Sequence, residues 1–226
     1  DIVLEVENVS ASYSGKESEK VLEDIDLKVR RGRTVALVGE SGSGKSTLAR
    51  VITGLLPPLE GRVIYGDMEL PPALKSRKLE TLRIMQMIYQ MPDTALNPRQ
   101  RVRDVIGRPL TFYYGTKGKE REDRIRELLE MIELSPKKYK DRYPAELSGG
   151  EKQRVCIARA LAAKPEMIIC DEVTSALDQL VAEEILKLLQ DLQNELSVSY
   201  LFITHDLATV KAISDEIVVM LQGKIV

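Results

Sequence analysis

Short apolar runs alternate with helical patterns along this chain. Mostly apolar runs occupy 34–38, 167–170, 199–203 and 216–221, which is typical of strands buried on both faces of a parallel sheet. Between the second and third runs, apolar residues recur with a helical period near 3.6 at Val181, Ile185, Leu188, Leu189, Leu192 and Leu196. This alternation predicts an α/β fold with a largely parallel sheet.

The N-terminal residues have a different pattern. Residues 2–9 and 21–29 are predicted to be strands of a smaller antiparallel sheet, and 8–20, rich in serine and charge, the loop between them. Residues 68–82, with two adjacent prolines and several lysines, are predicted to form an exposed connection.

The middle of the chain is rich in proline and charge and is predicted to be a mostly helical insert. Its best helix has the apolar face Ile125, Leu128, Leu129 and Ile132. We therefore expect a single domain over 1–226, with an α/β core in 1–90 and 156–226 and a helical subdomain in 91–155.

Composition narrows the function classes. Lys and Arg (33) nearly balance Asp and Glu (35), so no electrostatic footprint for nucleic acid is present at the level of the whole chain. Cys156 and Cys170 form no C-x-x-C pair, which favours buried thiols in a reducing compartment over zinc or redox chemistry. No apolar run approaches the ~18 residues that span a bilayer. Because the chain starts without Met and stops within a predicted strand, we expect the natural protein to be longer.

A glycine-rich turn between a predicted strand and a predicted helix matches the P-loop pattern. Such a loop wraps a phosphate with its backbone N–H groups, and the helix that follows adds partial positive charge. Lys45 is predicted to neutralise the β- and γ-phosphates, Ser46 to bind Mg²⁺ and Thr47 to add a phosphate contact. The predicted nucleotide-binding residues here are Gly39, Ser41, Gly42, Ser43, Gly44, Lys45, Ser46 and Thr47.

Three further polar residues end predicted strands. Asp171 is expected to hold Mg²⁺, and Glu172 to polarise the attacking water as a general base. An acidic pair after a strand is more often a helix cap, but the P-loop reverses those odds. His205 is the single histidine, and it is either a structural residue at a strand end or a group that reaches the γ-phosphate.

The segment Leu147-Ser148-Gly149-Gly150-Glu151, followed by Lys152-Gln153-Arg154, resembles the signature motif of ABC ATPases. On the residues alone, Ser148 is an N-cap of a helix over 149–162, a second anion site, or both. The order of the other motifs is similar to that family along the whole chain. Val173 stands where proline is common in the family, and Glu151 where glutamine is frequent.

The resemblance implies roles for residues that spacing alone would not assign. Tyr13 would stack on adenine, and Gln90 would act in a glutamine loop that reaches Mg²⁺ and the reaction. Ser175 to Asp178 resembles the D-loop, which places Asp178 at the nucleotide, and His205 resembles the switch histidine. The fold implied is that of RecA-like P-loop NTPases.

The resemblance also implies a shared site. Lys45, Gln90, Asp171, Glu172 and His205 would act on the ATP of their own copy, with Mg²⁺ as the metal. Ser148, Gly149 and Gly150 would contact ATP held by a second ABC ATPase domain, identical or related.

The segment Tyr89 to Pro98 is similar to the glutamine loop of bacterial peptide, nickel and glutathione importers. That likeness implies transmembrane permease subunits as partners, docking near 91–103, and a substrate-binding protein reached through the complex. The expected location is the cytoplasmic face of the inner membrane, and no nucleic acid partner is expected. The alternative is a non-transport ABC ATPase of the translation-factor or DNA-repair type; a simple P-loop kinase would leave the LSGGE segment unexplained.

Overall fold

The four apolar runs predicted as buried strands lie side by side in one sheet. The structure, a computed structural model, describes residues 1–90 and 92–226. Its strands are β1 (Ile2–Ala11), β2 (Leu22–Arg30), β3 (Thr34–Val38), β4 (Glu60–Tyr65), β5 (Met68–Glu69), β6 (Met85–Ile88), β7 (Met167–Asp171), β8 (Ser199–Thr204), β9 (Glu216–Leu221) and β10 (Lys224–Ile225). Its helices are α1 (Lys45–Thr53), α2 (Leu79–Ile84), α3 (Pro92–Ala95), α4 (Val102–Tyr114), α5 (Gly118–Met131), α6 (Pro136–Tyr139), α7 (Gly149–Ala162), α8 (Gln179–Leu196) and α9 (Leu207–Lys211).

The larger sheet has the strand order β10-β9-β3-β8-β7-β6, parallel throughout except for the pairing of β10 with β9. Its side chains alternate between two apolar cores. On β3, Val35 and Leu37 belong to the core shared with α1 and the smaller sheet, and Ala36 and Val38 to the core shared with α4, α5, α7 and α8. Burial on both faces explains the continuous apolar runs of β3, β7 and β8. The prediction that 216–221 is buried was wrong, because β9 is covered on one face only and Ile217, Val219 and Leu221 are exposed.

The smaller sheet is antiparallel, in the order β2-β1-β4-β5. It packs against α1, and its side chains share a core with that helix. The middle of the chain, from α3 to α7, is helical in the residues described. α7 continues without a break across the predicted limit between 155 and 156.

Several expected boundaries were wrong. β1 runs to Ala11, so the predicted loop starts too early; a register shift beside Asn8, whose φ is 49°, and the buried Ser10 conceal the alternation there. Strands β4 and β6 were not predicted. Residues 68–82 are not simply an exposed connection, because Leu70, Arg77 and Thr81 are buried.

Helix α8 follows its predicted apolar face except at the ends. Leu189 is 1% exposed, whereas Leu196 is 46% exposed and Val181 is half-buried. Leu196 is the last residue of this helix and does not belong to the apolar core. Within the described residues, no helix combines the length and apolarity needed to cross a bilayer.

Two leucines on α8 provide a test of this packing. Leu189→Ala should lower the free energy of unfolding by about 2–5 kcal/mol, because the cavity it leaves lies between α8 and the sheet. Leu196→Ala, the matched control on the same helix, should change it by less than about 0.5 kcal/mol. Urea unfolding followed by circular dichroism measures both, and equal losses would contradict the burial described here.

Candidate active site

The phosphate loop joins β3 to α1 at the carboxyl end of the parallel strands. Gly44 has φ 106°, and a Cβ there would lie 2.8 Å from Leu22 Cδ2. A Cβ on Gly39 would lie 2.5 Å from the Met220 carbonyl oxygen. Both positions therefore need glycine, one for conformation and space and the other for the close approach of β9. The turn after β9 also contacts the loop, since the Gly223 N–H donates to the Ser43 carbonyl at 2.9 Å.

Lys45 lies folded over the loop that precedes it. Its Nζ donates to the backbone carbonyls of Gly39 and Glu40, the second at 2.9 Å, and the residue is 5% exposed. Burial lowers the pKa of Lys45, while the carboxylates of Glu172 and Asp171 oppose that effect. The ammonium is thus held at the mouth of the loop, where a phosphate could replace carbonyl oxygens as its partner.

A cavity of about 490 Å³ opens above the loop. Its lining brings together side chains from four distant parts of the sequence: Ser41, Lys45, Ser46 and Thr47 from the loop, Gln90 after β6, Glu172 after β7, and His205 after β8. The parallel strands explain the meeting, because their carboxyl ends lie at one edge of the sheet. Val21 and Glu40 also line the cavity. Neither was predicted, although Glu40 lies inside the P-loop pattern.

Asp171 supplies a test of whether Mg²⁺ fits here. Its Oδ1 is buried and has no hydrogen-bond partner among the described residues. Burial, together with the charge of Glu172, raises the pKa of this carboxyl; Lys45, Arg50 and the Ser46 side chain oppose the rise. An unpaired carboxylate oxygen close to a hydroxyl is the hard oxygen donor set that Mg²⁺ prefers. The residues present therefore fit the ion.

Glu172 is held in an unusual backbone conformation. Its φ is 52°, in the left-handed region, which costs about 1–3 kcal/mol for a residue with a Cβ. Its N–H donates to the Ile203 carbonyl at 2.8 Å. Its carboxylate oxygens lie 2.8 and 3.0 Å from His205 Nδ1. The strain directs the side chain into the cavity rather than along the strand.

Gln90 lines the cavity, and Tyr13 contacts Thr47, which also lines it. Gln90 Nε2 donates to Ser175 Oγ at 3.2 Å, and Ser175 Oγ donates to the Glu172 carbonyl at 3.0 Å. The Tyr13 hydroxyl lies 2.9 Å from Thr47 Oγ1, and the Tyr13 ring is 57% exposed. An exposed aromatic ring at the mouth of the cavity is available for stacking on a base. Met91, where the predicted insert begins, lies outside the described residues.

The LSGGE segment does not line this cavity, and neither does Asp178. Ser148 caps α7: its Oγ accepts from the Glu151 N–H at 3.2 Å, and Glu151 Oε1 accepts from the Ser148 N–H at 2.8 Å. Burial disfavours the charge of Glu151, but hydrogen bonds from Ser148 and Tyr139 outweigh it and lower the pKa of the carboxyl. Asp178 caps α8 in the same way, with its Oδ1 accepting from the Val181 N–H at 3.0 Å. Of the two predicted roles of Ser148, the cap is therefore present, and the anion contact stays a prediction.

The fold and this cavity define a P-loop nucleoside triphosphatase. In addition, the LSGGE segment begins helix α7 outside the cavity. The sequence profile of the ABC transporter family matches residues 22–175. The chain belongs to this family, and it is an ABC ATPase with the α/β fold of ATP-binding cassettes.

Relatives of the chain are ATP-binding proteins of import systems. It is 44% identical over 228 residues to the oligopeptide transport ATP-binding protein OppF of Bacillus subtilis, covering 99% of this chain and 74% of that protein. It is also 44% identical over 218 residues to the nickel import ATP-binding protein NikE of Brucella suis, covering 96% of this chain and 82% of that one.

Solved structures agree with the fold. CbiO1 of Clostridium perfringens, part of the ABC transporter complex CbiONQ, superposes with a TM-score of 0.90 at 29% identity, over 100% of this chain and 87% of that one. An ATP-binding cassette solved as a dimer in a post-hydrolysis state with ADP and Pi superposes with a TM-score of 0.82 at 31% identity, over 98% and 96% of the two chains.

Asp171→Asn should separate stability from metal binding. In the absence of nucleotide and Mg²⁺ at pH 7, the variant should melt higher than the wild type, by about 2–4 °C for each kcal/mol gained by removing the buried charge and its repulsion with Glu172. The sign follows from the raised pKa: the folded protein resists ionising this carboxyl, so the free-energy cost of its charge grows as pH rises above its ordinary pKa of 3.8 and is complete above the raised pKa.

Thermal melts with and without Mg-ATP measure the effect, and the difference between the two proteins should shrink near pH 3.8. Mg-ATP should stabilise the wild type more than the variant. A variant that melts lower at pH 7, or that gains as much from Mg-ATP as the wild type, would contradict the assignment of Asp171.

Proposed function

We propose that this chain is the ATP-hydrolysing subunit of an importer for peptides or nickel, working as one half of a two-site nucleotide sandwich at the cytoplasmic face of the inner membrane. The observation that carries the proposal is that the predicted nucleotide-binding residues lie in two separate places on the chain. The phosphate loop, Glu172 and His205 line one cavity, while LSGGE begins a helix that does not line it. The names of the relatives from Bacillus subtilis and Brucella suis support the substrate class.

Within one chain, each group has a chemical role. Lys45 would exchange its carbonyl partners for β- and γ-phosphate oxygens, and Ser46, Asp171 and Gln90 would hold Mg²⁺. The ion supplies charge stabilisation at the phosphates when it is bound. Glu172 would accept a proton from the water that attacks the γ-phosphorus, and ADP leaves with the electrons of the broken P–O bond. His205, already hydrogen-bonded to Glu172, would orient that carboxylate and reach the γ-phosphate.

The second half of the site would come from another ABC ATPase domain. Ser148 caps α7, and Gly149 and Gly150 begin its first turn, where the N–H groups without intrahelical partners and the helix dipole favour an anion. Facing the γ-phosphate of the other copy, they would complete its cavity, and Asp178 would approach from the start of α8. The solved dimer with ADP and Pi supports this arrangement. Closure on ATP and opening after hydrolysis would then drive the membrane subunits.

Glu172→Gln should trap the closed sandwich. Without the base, ATP turnover should fall by about 10²-fold or more, while the amide keeps the shape of the site and ATP stays bound. Multi-angle light scattering with Mg-ATP should then give twice the mass measured without nucleotide. Lys45→Ala in the same assay is the control, because it should neither bind ATP nor dimerise.

A Glu172→Gln protein that hydrolyses ATP at the wild-type rate would show that Glu172 is not the base. A protein that is inactive and binds ATP yet stays a monomer would contradict a sandwich of identical copies. Isolating the complex through a tag on this chain would then reveal whether a related ATPase is its companion.

A groove between the sheet and the helical region supports the assignment of membrane partners. Its volume is about 590 Å³, and its walls come from α2, β6, α4 and α7. Exposed apolar side chains lie along it, among them Phe112 at 60% and Tyr89 at 44%, and Arg108 and Arg159 add positive charge. Residues Ala95, Asn97 and Gln100 line it, within the segment expected to dock a permease. A short amphipathic helix of a membrane subunit fits this combination of apolar wall and charge.

Two arginines of that segment are engaged within the chain. Arg101 and Arg103 lie 3.6 and 3.2 Å from Asp141, and Arg101 Nε donates to the Tyr143 hydroxyl at 3.2 Å. Reversing their charge would therefore break contacts inside this chain as well as any contact with a permease. An apolar residue in the groove is a cleaner probe.

Phe112→Asp should weaken the association with membrane subunits by about tenfold or more, because it places a charge on an apolar contact surface. Recovery of membrane proteins on a tagged copy of this chain, together with substrate uptake in cells, measures the loss. Met68→Asp, at an exposed apolar position of the smaller sheet (44% exposed), is the matched control and should behave as the wild type. Equal recovery with both variants would mean that the groove is not the docking surface.

A further inference from the structure

Gln153 is a buried amide of which only one end is hydrogen-bonded. It lies on α7, just after the LSGGE segment, and is 1% exposed. Its Nε2 donates to the Val173 carbonyl at 2.6 Å, but its Oε1 is buried with no hydrogen-bond partner among the described residues. A buried acceptor that loses water without a replacement disfavours folding. Stability therefore does not explain the choice of glutamine.

The hydrogen bond from Gln153 is accepted by Val173, the residue after the proposed base Glu172. Val173 directly follows Glu172, whose left-handed backbone persists only if its surroundings hold it in place. The sheet holds one side, through the Glu172 N–H and the Ile203 carbonyl. The turn holds the other side, through Ser175 and the Glu172 carbonyl. Val173 has no ring to fix its own φ, so the contact from α7 restrains a turn that would otherwise have more freedom.

The same helix presents LSGGE. Ser148 caps its first turn, and a Cβ on Gly150 would lie 2.6 Å from Val181 Cγ1, so the start of α7 packs closely on α8. On its other side, Lys152 Nζ pairs with Asp93 at 2.5 Å, and Arg159 donates to the Ala95 carbonyl at 2.7 Å. α7 thus connects LSGGE, the segment after Gln90 and the turn after Glu172 within a few residues.

We propose that Gln153 is a positioning residue for ATP hydrolysis: its amide fixes the Val173 carbonyl and thereby the backbone of Glu172. Because Gln153 and LSGGE lie on the same helix, binding of LSGGE to the nucleotide of the other copy would affect the position of Glu172. Glu172 in turn acts on the nucleotide of its own chain. The inference rests on the proposed function, because it takes Glu172 as the base. It adds a link, within one chain, between the two sites of the sandwich.

Gln153→Met tests the link. Methionine keeps the length of the side chain and an apolar fit but removes the donor and the unpaired oxygen together. The ATPase kcat should fall by about tenfold, with the KM for ATP changed by less than about twofold, because binding groups are intact and only the base is misplaced. The melting temperature should stay close to that of the wild type, because the variant removes one unpaired buried acceptor, Gln153 Oε1, and leaves another, the Val173 carbonyl. Steady-state kinetics and calorimetry on the complex isolated through a tagged chain provide these values.

Gln193→Met is the matched control. Gln193 Nε2 also donates to a backbone carbonyl, that of Val198 at 3.0 Å, but at the far end of α8. This variant should keep its kcat. Gln153→Leu serves as a second donor-free variant if the methionine protein aggregates.

Wild-type kcat in a folded Gln153→Met protein would overturn the inference, and so would a loss of kcat matched by a drop in melting temperature. Glu172→Gln in the same assay separates this failure from that of the proposed function. If Glu172→Gln is inactive while Gln153→Met is unaffected, only the role of Gln153 falls. If Glu172→Gln remains active, the assignment of the base falls first.

Discussion

The parallel register of β3, β8 and β7 is the constraint on which the rest of the structure depends. Val38 pairs with Thr204, and Ile203 pairs with Asp171, so these three strands end level with one another. The segments that follow these strands therefore line the same cavity: the phosphate loop follows β3, His205 follows β8 and Glu172 follows β7. A shift of one residue in this register would turn the acids into the core and the apolar side chains into the cavity.

Several features of the site lower the stability of the folded protein. Lys45 is buried with its ammonium facing carbonyl groups, Asp171 keeps an unpaired buried oxygen, and Glu172 adopts a left-handed backbone. Each feature disfavours folding when considered alone, and the two apolar cores on either side of the sheet offset the sum. Each feature would suit the binding of a triphosphate, because phosphate oxygens would pair with the Lys45 ammonium and Mg²⁺ with the unpaired Asp171 oxygen. Binding and stability are therefore linked through the same atoms.

Much of this arrangement could be predicted from the sequence, because its strongest signals are local. The P-loop lies between a strand and a helix, and runs such as 167–170 that are buried on both faces are continuous and easily recognised. The pattern of apolar residues did not predict the limits of elements whose side chains are only partly buried or include buried polar groups. β6 follows directly on α2 without a turn, β1 carries register shifts and a buried serine, and Leu196 is exposed at the end of α8. The bond between Gln153 and Val173 joins residues 20 apart that no local period connects.

The hairpin of β9 and β10 forms one wall of the phosphate loop. The backbone of Met220 leaves room only for glycine at 39, and Gly223 donates to the loop at Ser43. The family profile ends at 175, well before this hairpin and before His205. The smallest fragment able to bind nucleotide is therefore set by the far end of the sheet rather than by the span of the recognisable motifs. A shortened version that stops before residue 223 would keep those motifs and lose part of the loop's support.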